Sequence, residues 1–176
     1  MKHLIWFTLI MATALPAQAT SRLYQQLAGS DAPTPLEILK LVEQRYRHEG
    51  RIVEFELEVE KGALTYEISL ARSNDDNFLE LTLDAKGKLL EKEREPGEMD
   101  DESDLEALAA LEEQEWQVSQ LVERAIGQQQ GYLLEAQLEH NIGISYLEVE
   151  LLTEQGKRKL AVDLSTGEPL PILQWD

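Results

Sequence analysis

The chain has 176 residues, with 34 acidic and 16 basic side chains, a formal net charge of −18 at pH 7 and no cysteine. This charge repels nucleic acid and anionic lipid headgroups, and it attracts basic proteins or cations. The lack of cysteine excludes disulfides, thiolate zinc sites and cysteine nucleophiles. The length suits one ordinary domain or two small ones, stabilised by packing.

The first 19 residues have the pattern of a cleavable signal peptide. Lys2 and His3 precede an apolar run over residues 4–15, and Ala17-Gln18-Ala19 supplies the small residues that signal peptidase accepts. A transmembrane anchor is the alternative, but the run is shorter than the roughly 20 residues that span a bilayer. We predict cleavage after Ala19, no transmembrane segment in the mature chain and a periplasmic location in a Gram-negative bacterium. Without cysteine, no lipid can be attached through a lipobox.

Residues 20–33 contain few apolar anchors and end in a Gly-Ser-Asp-Ala-Pro segment, which predicts a flexible lead-in. A first unit follows over residues 34–95. Thr34-Pro35-Leu36-Glu37 forms a capping box, the apolar residues after it have helical spacing, and Gly50 is a candidate for the C-cap. Apolar and polar residues then alternate in three segments, which predicts the order helix, strand, strand, strand.

Residues 96–114 are predicted to form an acidic linker and a helix extension. The stretch from Glu95 to Asp104 is densely acidic and has no apolar periodicity, which is typical of a solvated linker. Ser103-Asp104-Leu105-Glu106 matches a second capping box. We therefore expect a helix that starts at about Asp104 and continues without a break to Ile126.

Residues 115–176 repeat the pattern of residues 34–95. With a shift of one residue at a turn, Gly50 corresponds to Gly131 and Gly62 corresponds to Gly143. Each unit also closes with an aspartate that begins a turn ending in glycine, over residues 84–87 and 163–167. The order of elements is therefore the same in both units.

The second unit ends in Val162-Asp163-Leu164-Ser165-Thr166-Gly167-Glu168, and the sequence resembles the PepSY domain family, which closes with V-D-x-x-T-G-E. The first unit lacks the Thr and the Glu of this turn. The resemblance implies an α+β fold with two repeats, each an α-helix packed on an antiparallel sheet of three to four strands in α-β-β-β order. It also implies a non-enzymatic module, since PepSY domains occur as inhibitory or regulatory segments of secreted proteases and as small exported proteins.

No motif in the sequence predicts catalytic, cofactor-binding or metal-binding residues. His48 and His140 lie outside any ligand spacing, so we interpret both as surface histidines. The serines at positions 69, 119, 145 and 165 have no nucleophile motif around them. The acids at 100, 101, 102 and 104 lack the EF-hand order, so a solvated linker is favoured over a calcium site. The aromatic residues Trp116, Tyr132, Tyr146 and Trp175 are expected in the core or between the repeats.

The sequence thus favours a periplasmic module that binds another protein, inhibitory or regulatory towards a secreted or envelope protease or sensor protein. Docking would use a sheet edge or an open sheet face, and negative charge would steer a basic partner. A cation-binding protein and an unrecognised hydrolase are the alternatives. The sequence leaves open the binding residues, the oligomeric state and whether the two repeats pack together.

Overall fold

The residues that the structure describes form an α+β fold with four helices and a single eight-stranded antiparallel sheet. The structure is a computed structural model that describes residues 17–60, 62–73, 75–96 and 102–171. The helices are α1 (Ala17–Ala28), α2 (Pro35–Tyr46), α3 (Glu102–Glu113) and α4 (Val118–Ile126). The strands are β1 (Arg51–Glu60), β2 (Ala63–Arg72), β3 (Asp75–Asp84), β4 (Leu89–Pro96), β5 (Tyr132–Asn141), β6 (Ile144–Thr153), β7 (Gly156–Asp163) and β8 (Pro169–Leu170).

One sheet replaces the two separate sheets that the sequence predicted. The strand order is β4-β3-β2-β1-β5-β6-β7-β8, so the first half (β1–β4) and the second half (β5–β8) meet where β1 pairs with β5. The central pair of this junction is Phe55 and Ala136. The first strand of each half would otherwise be a long unpaired edge, and pairing the two satisfies the backbone of both.

The helices cover one face of the sheet. The core unites apolar side chains of all four helices with alternate residues of the strands, among them Phe55, Ile68, Leu81 and Val149. Helix α2 begins as predicted, because the Thr34 side chain accepts a hydrogen bond from the Glu37 amide and the Glu37 carboxylate accepts one from the Thr34 amide at 2.7 Å. The capping box is therefore confirmed.

The predicted flexible lead-in contains helix α1. Leu23, Tyr24 and Leu27 have helical spacing and form one apolar arc. Leu27 is buried, and the Tyr24 ring meets the Tyr132 ring edge-on with centroids 5.4 Å apart. Three well-placed anchors are thus enough to fix this segment against the sheet. Residues 1–16, most of the predicted signal peptide, lie outside the described residues.

The continuous helix predicted from Asp104 to Ile126 is wrong. Helix α3 begins at Glu102, and the chain leaves the helix between α3 and α4, where Glu115 has a φ of 55°. This break allows the Trp116 indole to donate a hydrogen bond to the Leu164 carbonyl at 3.0 Å. Far from being only a linker, α3 buries Ala107, Leu108 and Leu111. Residues 97–101 of the predicted linker lie outside the described part of the chain.

Gly50 does not cap helix α2, whose C-cap is Arg47. A Cβ atom at Gly50 would lie 2.7 Å from the Ala71 carbonyl oxygen, so glycine is needed because β2 passes close to it. The corresponding Gly131 has the same relation to the Leu152 carbonyl oxygen, at 2.6 Å. The two glycines therefore act in strand packing.

Candidate functional site

The candidate site is the face of the sheet that lies opposite the helices, here called the open face. Cross-strand partners in an antiparallel sheet share a face, so the pairing register assigns its side chains. In the first half these are Glu54, Glu56, Glu58, Thr65, Glu67, Ser69, Phe78, Glu80, Thr82, Glu91 and Glu93. In the second half they are Glu135, Gln137, Glu139, Tyr146, Glu148, Glu150, Lys159 and Ala161.

Four glutamates form a row across the middle of this face. Glu56 of β1 lies opposite Glu67 of β2 on one side and opposite Glu135 of β5 on the other. Glu135 in turn lies opposite Glu150 of β6. Like charges directly opposite each other destabilise a sheet. This glutamate row, residues 67, 56, 135 and 150, is therefore an energetic cost that the packing of the other face must offset.

The row perturbs the protonation of its central members. Burial and then the carboxylates of Glu58, Glu135, Glu54 and Glu67 raise the pKa of Glu56 to about 7. The pKa of Glu135 is also raised, first by burial and then by Glu150, but Lys159 and Lys157 act in the opposite direction. The centre of the face therefore changes its charge near neutral pH, mainly at Glu56.

Two lysines of β7 form ion pairs with glutamates of β6 on the second half of the open face. The Lys157 ammonium lies 2.5 Å from the Glu150 carboxylate, and Lys159 forms an ion pair with Glu148. Among the open-face residues assigned above to β1–β4, none is lysine or arginine. The first half of the face thus carries the stronger negative field.

A cleft of about 210 Å³ opens on this face near the junction of the two halves. Its lining combines apolar and polar residues: Val53, Glu54, Ser69, Phe78, Glu80, Gln137 and Leu138. Glu80, Ser69, Glu54 and Gln137 follow one another across β3, β2, β1 and β5. Val53 is the extra residue of a β-bulge, since Ile52 and Glu54 pair with the consecutive residues Leu70 and Ser69. A bulge bends its strand, which accounts for a concavity at this place.

The two histidines differ from each other in the structure. His48 follows helix α2 and is exposed, with its ring accepting a hydrogen bond from Arg47 Nε at 3.0 Å. His140 is not a surface histidine, because its side chain is only 17% exposed. Its Nδ1 lies 2.8 Å from Ser145 Oγ, and its Nε2 lies 2.7 Å from Glu106 Oε2.

Ser145, His140 and Glu106 therefore have the connectivity of a hydroxyl, a base and an orienting acid. Ser145 and His140 are direct cross-strand partners on the helix-covered face, and Glu106 reaches them from α3. Ser145 and His140 are both half-buried, and their contacts connect the β5–β6 hairpin to α3 through Glu106. These contacts are best explained as a structural link that holds α3 against the β5–β6 hairpin.

The other serines that the sequence offered have local roles or lie on the open face. Ser119 is buried in helix α4, and its amide donates to the Glu43 carboxylate of α2 at 3.1 Å. Ser165 bonds the Asp163 carboxylate, which holds the closing turn. Ser69 lies in the cleft. The described residues bring no two of these three hydroxyls into one site.

The aromatic residues occupy three different environments. Trp116 is half-buried, with the Arg124 guanidinium 4.5 Å from its ring centroid, and Tyr132 packs against Tyr24. Tyr146 lies on the open face, opposite Glu139. Trp175 lies outside the described residues. The core placement expected from the sequence thus does not hold for Tyr146.

The described residues contain no group of three or more histidine, aspartate or glutamate side chains placed to hold a metal ion. Of the acidic stretch that suggested calcium, Asp100 and Asp101 lie outside the described residues. Within the described ranges, no helix is both long and apolar enough to cross a membrane.

Comparison with known protein families finds a match to part of the first half of the chain. The family model for the "Peptidase propeptide and YPEB domain", PepSY, matches residues 34–97, which extend from α2 to β4. The match confirms the predicted resemblance and falls on the half whose closing turn departs more from the family pattern. No curated protein sequence matches the chain.

A solved structure described as a "putative lipoprotein" from Clostridium difficile 630 is similar to the chain at 20% sequence identity. The alignment covers 82% of this chain and 95% of that one, with a TM-score of 0.44.

Proposed function

Residues 34–97 belong to the PepSY family, and from this premise we propose that the chain is a non-enzymatic, exported module that regulates a secreted or envelope protein. It does so by docking that protein on the open face of its sheet. The family description names peptidase propeptides, so a secreted peptidase is the first class of partner to test, and sensor ectodomains are the second. The partner carries a basic surface.

The open face carries this proposal. All four helices contribute to the core on one side of the sheet, and the opposite side presents a broad surface of half-buried and exposed polar residues. Its negative charge attracts a basic partner and speeds the encounter.

Docking at a sheet edge is less favoured. Edge strand β4 carries five consecutive charged residues, from Glu91 to Glu95, and charged side chains protect an edge from pairing with another strand. At the other edge, β8 has two residues and begins with Pro169. The broad face therefore remains the better docking surface.

We also propose that residues 115–176 are a diverged second copy of residues 34–95, joined through residues 96–114. Each half has a one-residue bulge in its first strand, at Val53 and at Leu134. Each closes with an aspartate whose carboxylate accepts backbone hydrogen bonds in the turn, Asp84 and Asp163. Matching distortions at matching places support duplication of one unit.

Export to the periplasm remains a prediction that the fold accommodates. Cleavage after Ala19 would leave the packing anchors Leu23, Tyr24 and Leu27 in the mature chain. Only residues 17–19 of helix α1 would be removed. N-terminal sequencing of the periplasmic protein should give Thr20 as the first residue, whereas Met1 on a membrane fraction would contradict cleavage.

The test uses immobilised residues 20–176 against purified secreted peptidases and sensor ectodomains, by biolayer interferometry at low and high salt. We expect a partner whose affinity falls as salt rises. The Glu56→Lys/Glu67→Lys variant reverses charge on the open face and should abolish binding. The matched control Glu113→Lys/Glu115→Lys makes the same change at two exposed residues at the C-terminal end of α3 and just after it, and should bind normally. Equal loss in both variants would contradict docking on the open face.

The serine, histidine and glutamate contact favours a hydrolase as the second candidate. This reading predicts turnover of p-nitrophenyl esters that disappears in Ser145→Ala and persists in Ser165→Ala. We expect no turnover above buffer in any of these proteins. The cation-binding alternative predicts a rise in melting temperature with calcium that survives moderate salt, and a thermal-shift assay decides it.

A further inference from the structure

We infer that the cleft on the open face binds an arginine side chain of the partner. This inference rests on the proposed function and names the chemistry that the docking surface recognises. The cleft is lined by Val53, Glu54, Ser69, Phe78, Glu80, Gln137 and Leu138 and has a volume of about 210 Å³. It lies beside the glutamate row and mostly within the PepSY segment.

The lining has two parts with different chemistry. Val53, Phe78 and Leu138 are apolar, and Phe78 adds an aromatic ring that is half-buried and still accessible. Glu54 and Glu80 supply carboxylates. A side chain with an apolar stem and a cationic end satisfies both parts at once, since long basic residues place their methylenes on apolar surface and keep the charge at a polar one.

The arrangement of acceptors favours arginine over lysine. Glu80, Ser69, Glu54 and Gln137 stand side by side on four neighbouring strands. A guanidinium carries five N–H donors in a planar fork and stacks on aromatic rings, whereas an ammonium is a compact point charge. A row of oxygen acceptors beside a phenyl ring therefore matches the guanidinium.

The cleft is a poor site for a bare metal ion. Its lining offers two carboxylates, whereas a calcium ion takes roughly six to eight oxygen ligands. Within the described residues, no group of three or more histidine, aspartate or glutamate side chains is placed to hold a metal ion. Anionic ligands are repelled by the two carboxylates and by the adjacent glutamate row.

The probe for this inference is N-acetyl-arginine amide, with N-acetyl-citrulline amide as the uncharged isostere. Each is titrated into ¹⁵N-labelled residues 20–176 and followed by amide chemical shifts. We expect saturable shifts at Val53, Glu54, Ser69 and Gln137 with the arginine probe and none with citrulline. A single side chain should bind with a dissociation constant on the order of 1–10 mM.

Isosteric variants locate the binding. Glu54→Gln and Glu80→Gln should each weaken binding of the arginine probe about fivefold or more, since each removes one charge-assisted hydrogen bond. Glu91→Gln removes the same charge from the same face outside the cleft and should change affinity less than about twofold. Dispersed amide spectra of all three variants establish that the sheet is intact.

Two results would overturn the inference. One is the absence of saturable shifts up to about 50 mM probe, far above the expected dissociation constant. The other is an equal loss of affinity in Glu80→Gln and Glu91→Gln, which would indicate diffuse attraction to the whole face. If a partner protein fails to bind the Glu56→Lys/Glu67→Lys variant and still binds Glu54→Gln and Glu80→Gln normally, that result would support the proposed function and contradict arginine binding in the cleft. Loss of all partner binding on the panel would instead remove the proposed function.

Discussion

The two halves of the sheet share a backbone plan but differ in how their open faces are charged. In the second half, Lys157 and Lys159 of β7 form ion pairs with Glu150 and Glu148. In the first half, the register assigns at least one glutamate of each of the four strands to the open face, and no lysine or arginine is among the residues assigned to that face above. The second half thus offsets part of its negative charge with lysines of its own open face.

Glu56 and Glu135 show this difference at a single contact. They lie opposite each other at the junction, yet the charged groups that raise the pKa of Glu56 most are carboxylates of neighbouring glutamates. Lys159 and Lys157 moderate the shift at Glu135. The surroundings therefore act differently on the pKa values of Glu56 and Glu135. The cause is the pair of lysines on β7, which lies two strands away from β5. Four variants, taken from the largest expected effect to the smallest, test how far the halves are coupled.

Phe55→Ala should have the largest effect. Phe55 is fully buried at the central pair of the junction, and its ring lies 5.5 Å from that of Tyr66. Removing it leaves a cavity where the halves meet, so we expect the free energy of unfolding to fall by about 3–5 kcal/mol. Urea denaturation followed by circular dichroism measures this loss.

The same experiment tests whether the halves unfold together. Trp116 and Trp175, the two tryptophans of residues 20–176, both lie in the second unit, so tryptophan fluorescence reports on the half that was not mutated. We expect its midpoint to shift with that of the circular dichroism, since one core spans the whole sheet. A tryptophan transition that stays at the wild-type midpoint would show that the second half folds independently.

Gly87→Ala should cost about 2–3 kcal/mol. Gly87 has a φ of 74°, which strains an alanine by about 1–2 kcal/mol, and its Cβ would lie 2.8 Å from Leu41 Cδ2 and 2.9 Å from Ile38 Cδ1. Gly62→Ala is the matched control, because Gly62 has a φ of 85° and nothing within 4 Å of the added atom. The melting temperature of Gly87→Ala should be lower than that of Gly62→Ala. Equal melting temperatures would mean that α2 moves freely over the closing turn.

Local features of the fold could be predicted from the sequence. The capping box at Thr34, the alternation in β1 to β3 and the turn at Asp84 all depend on residues near one another in the chain. The helix break before Trp116 could not, because no glycine or proline marks it and its cause is a hydrogen bond to Leu164. Strand β4 was missed as well, since its charged residues lack apolar alternation.

The candidate site depended on the one pairing that the sequence does not encode locally. The glutamates of β1 were recognised as the polar face of a strand, but pairing of β1 with β5 brings Glu135 opposite Glu56 and Gln137 opposite Glu54. The repeat in the sequence matches Glu54 with Glu135, whereas in the sheet Glu135 lies opposite Glu56. This juxtaposition follows only from the tertiary structure.

Glu56→Gln should stabilise the protein above neutral pH by about 1 kcal/mol. Its pKa is raised to about 7 in the folded state, so folding binds a proton between the ordinary carboxyl pKa and 7, and stability falls as the pH rises through that window. The full shift would correspond to roughly 3 kcal/mol, but the carboxyl is partly solvated and screening reduces it. Urea titrations at pH 8 should show the gain, and those near pH 4 should show none. A gain that does not depend on pH would contradict an electrostatic cause.

Lys157→Gln/Lys159→Gln should have the smallest effect on stability, about 0.5–1 kcal/mol at low salt, because both lysine side chains are exposed to solvent. The variant removes the lysines that distinguish the open face of the second half from that of the first. The lysines lower the pKa of Glu135 against the effects of burial and Glu150, so their loss should raise that pKa towards the behaviour of Glu56. Carbon-detected titration of the Glu135 carboxyl measures the change, with Lys40→Gln as a control that removes one charge from the helix-covered side. If the pKa of Glu135 does not change, the β7 lysines do not set the charge of the second half. The contrast between the two halves of the open face must then come from burial alone.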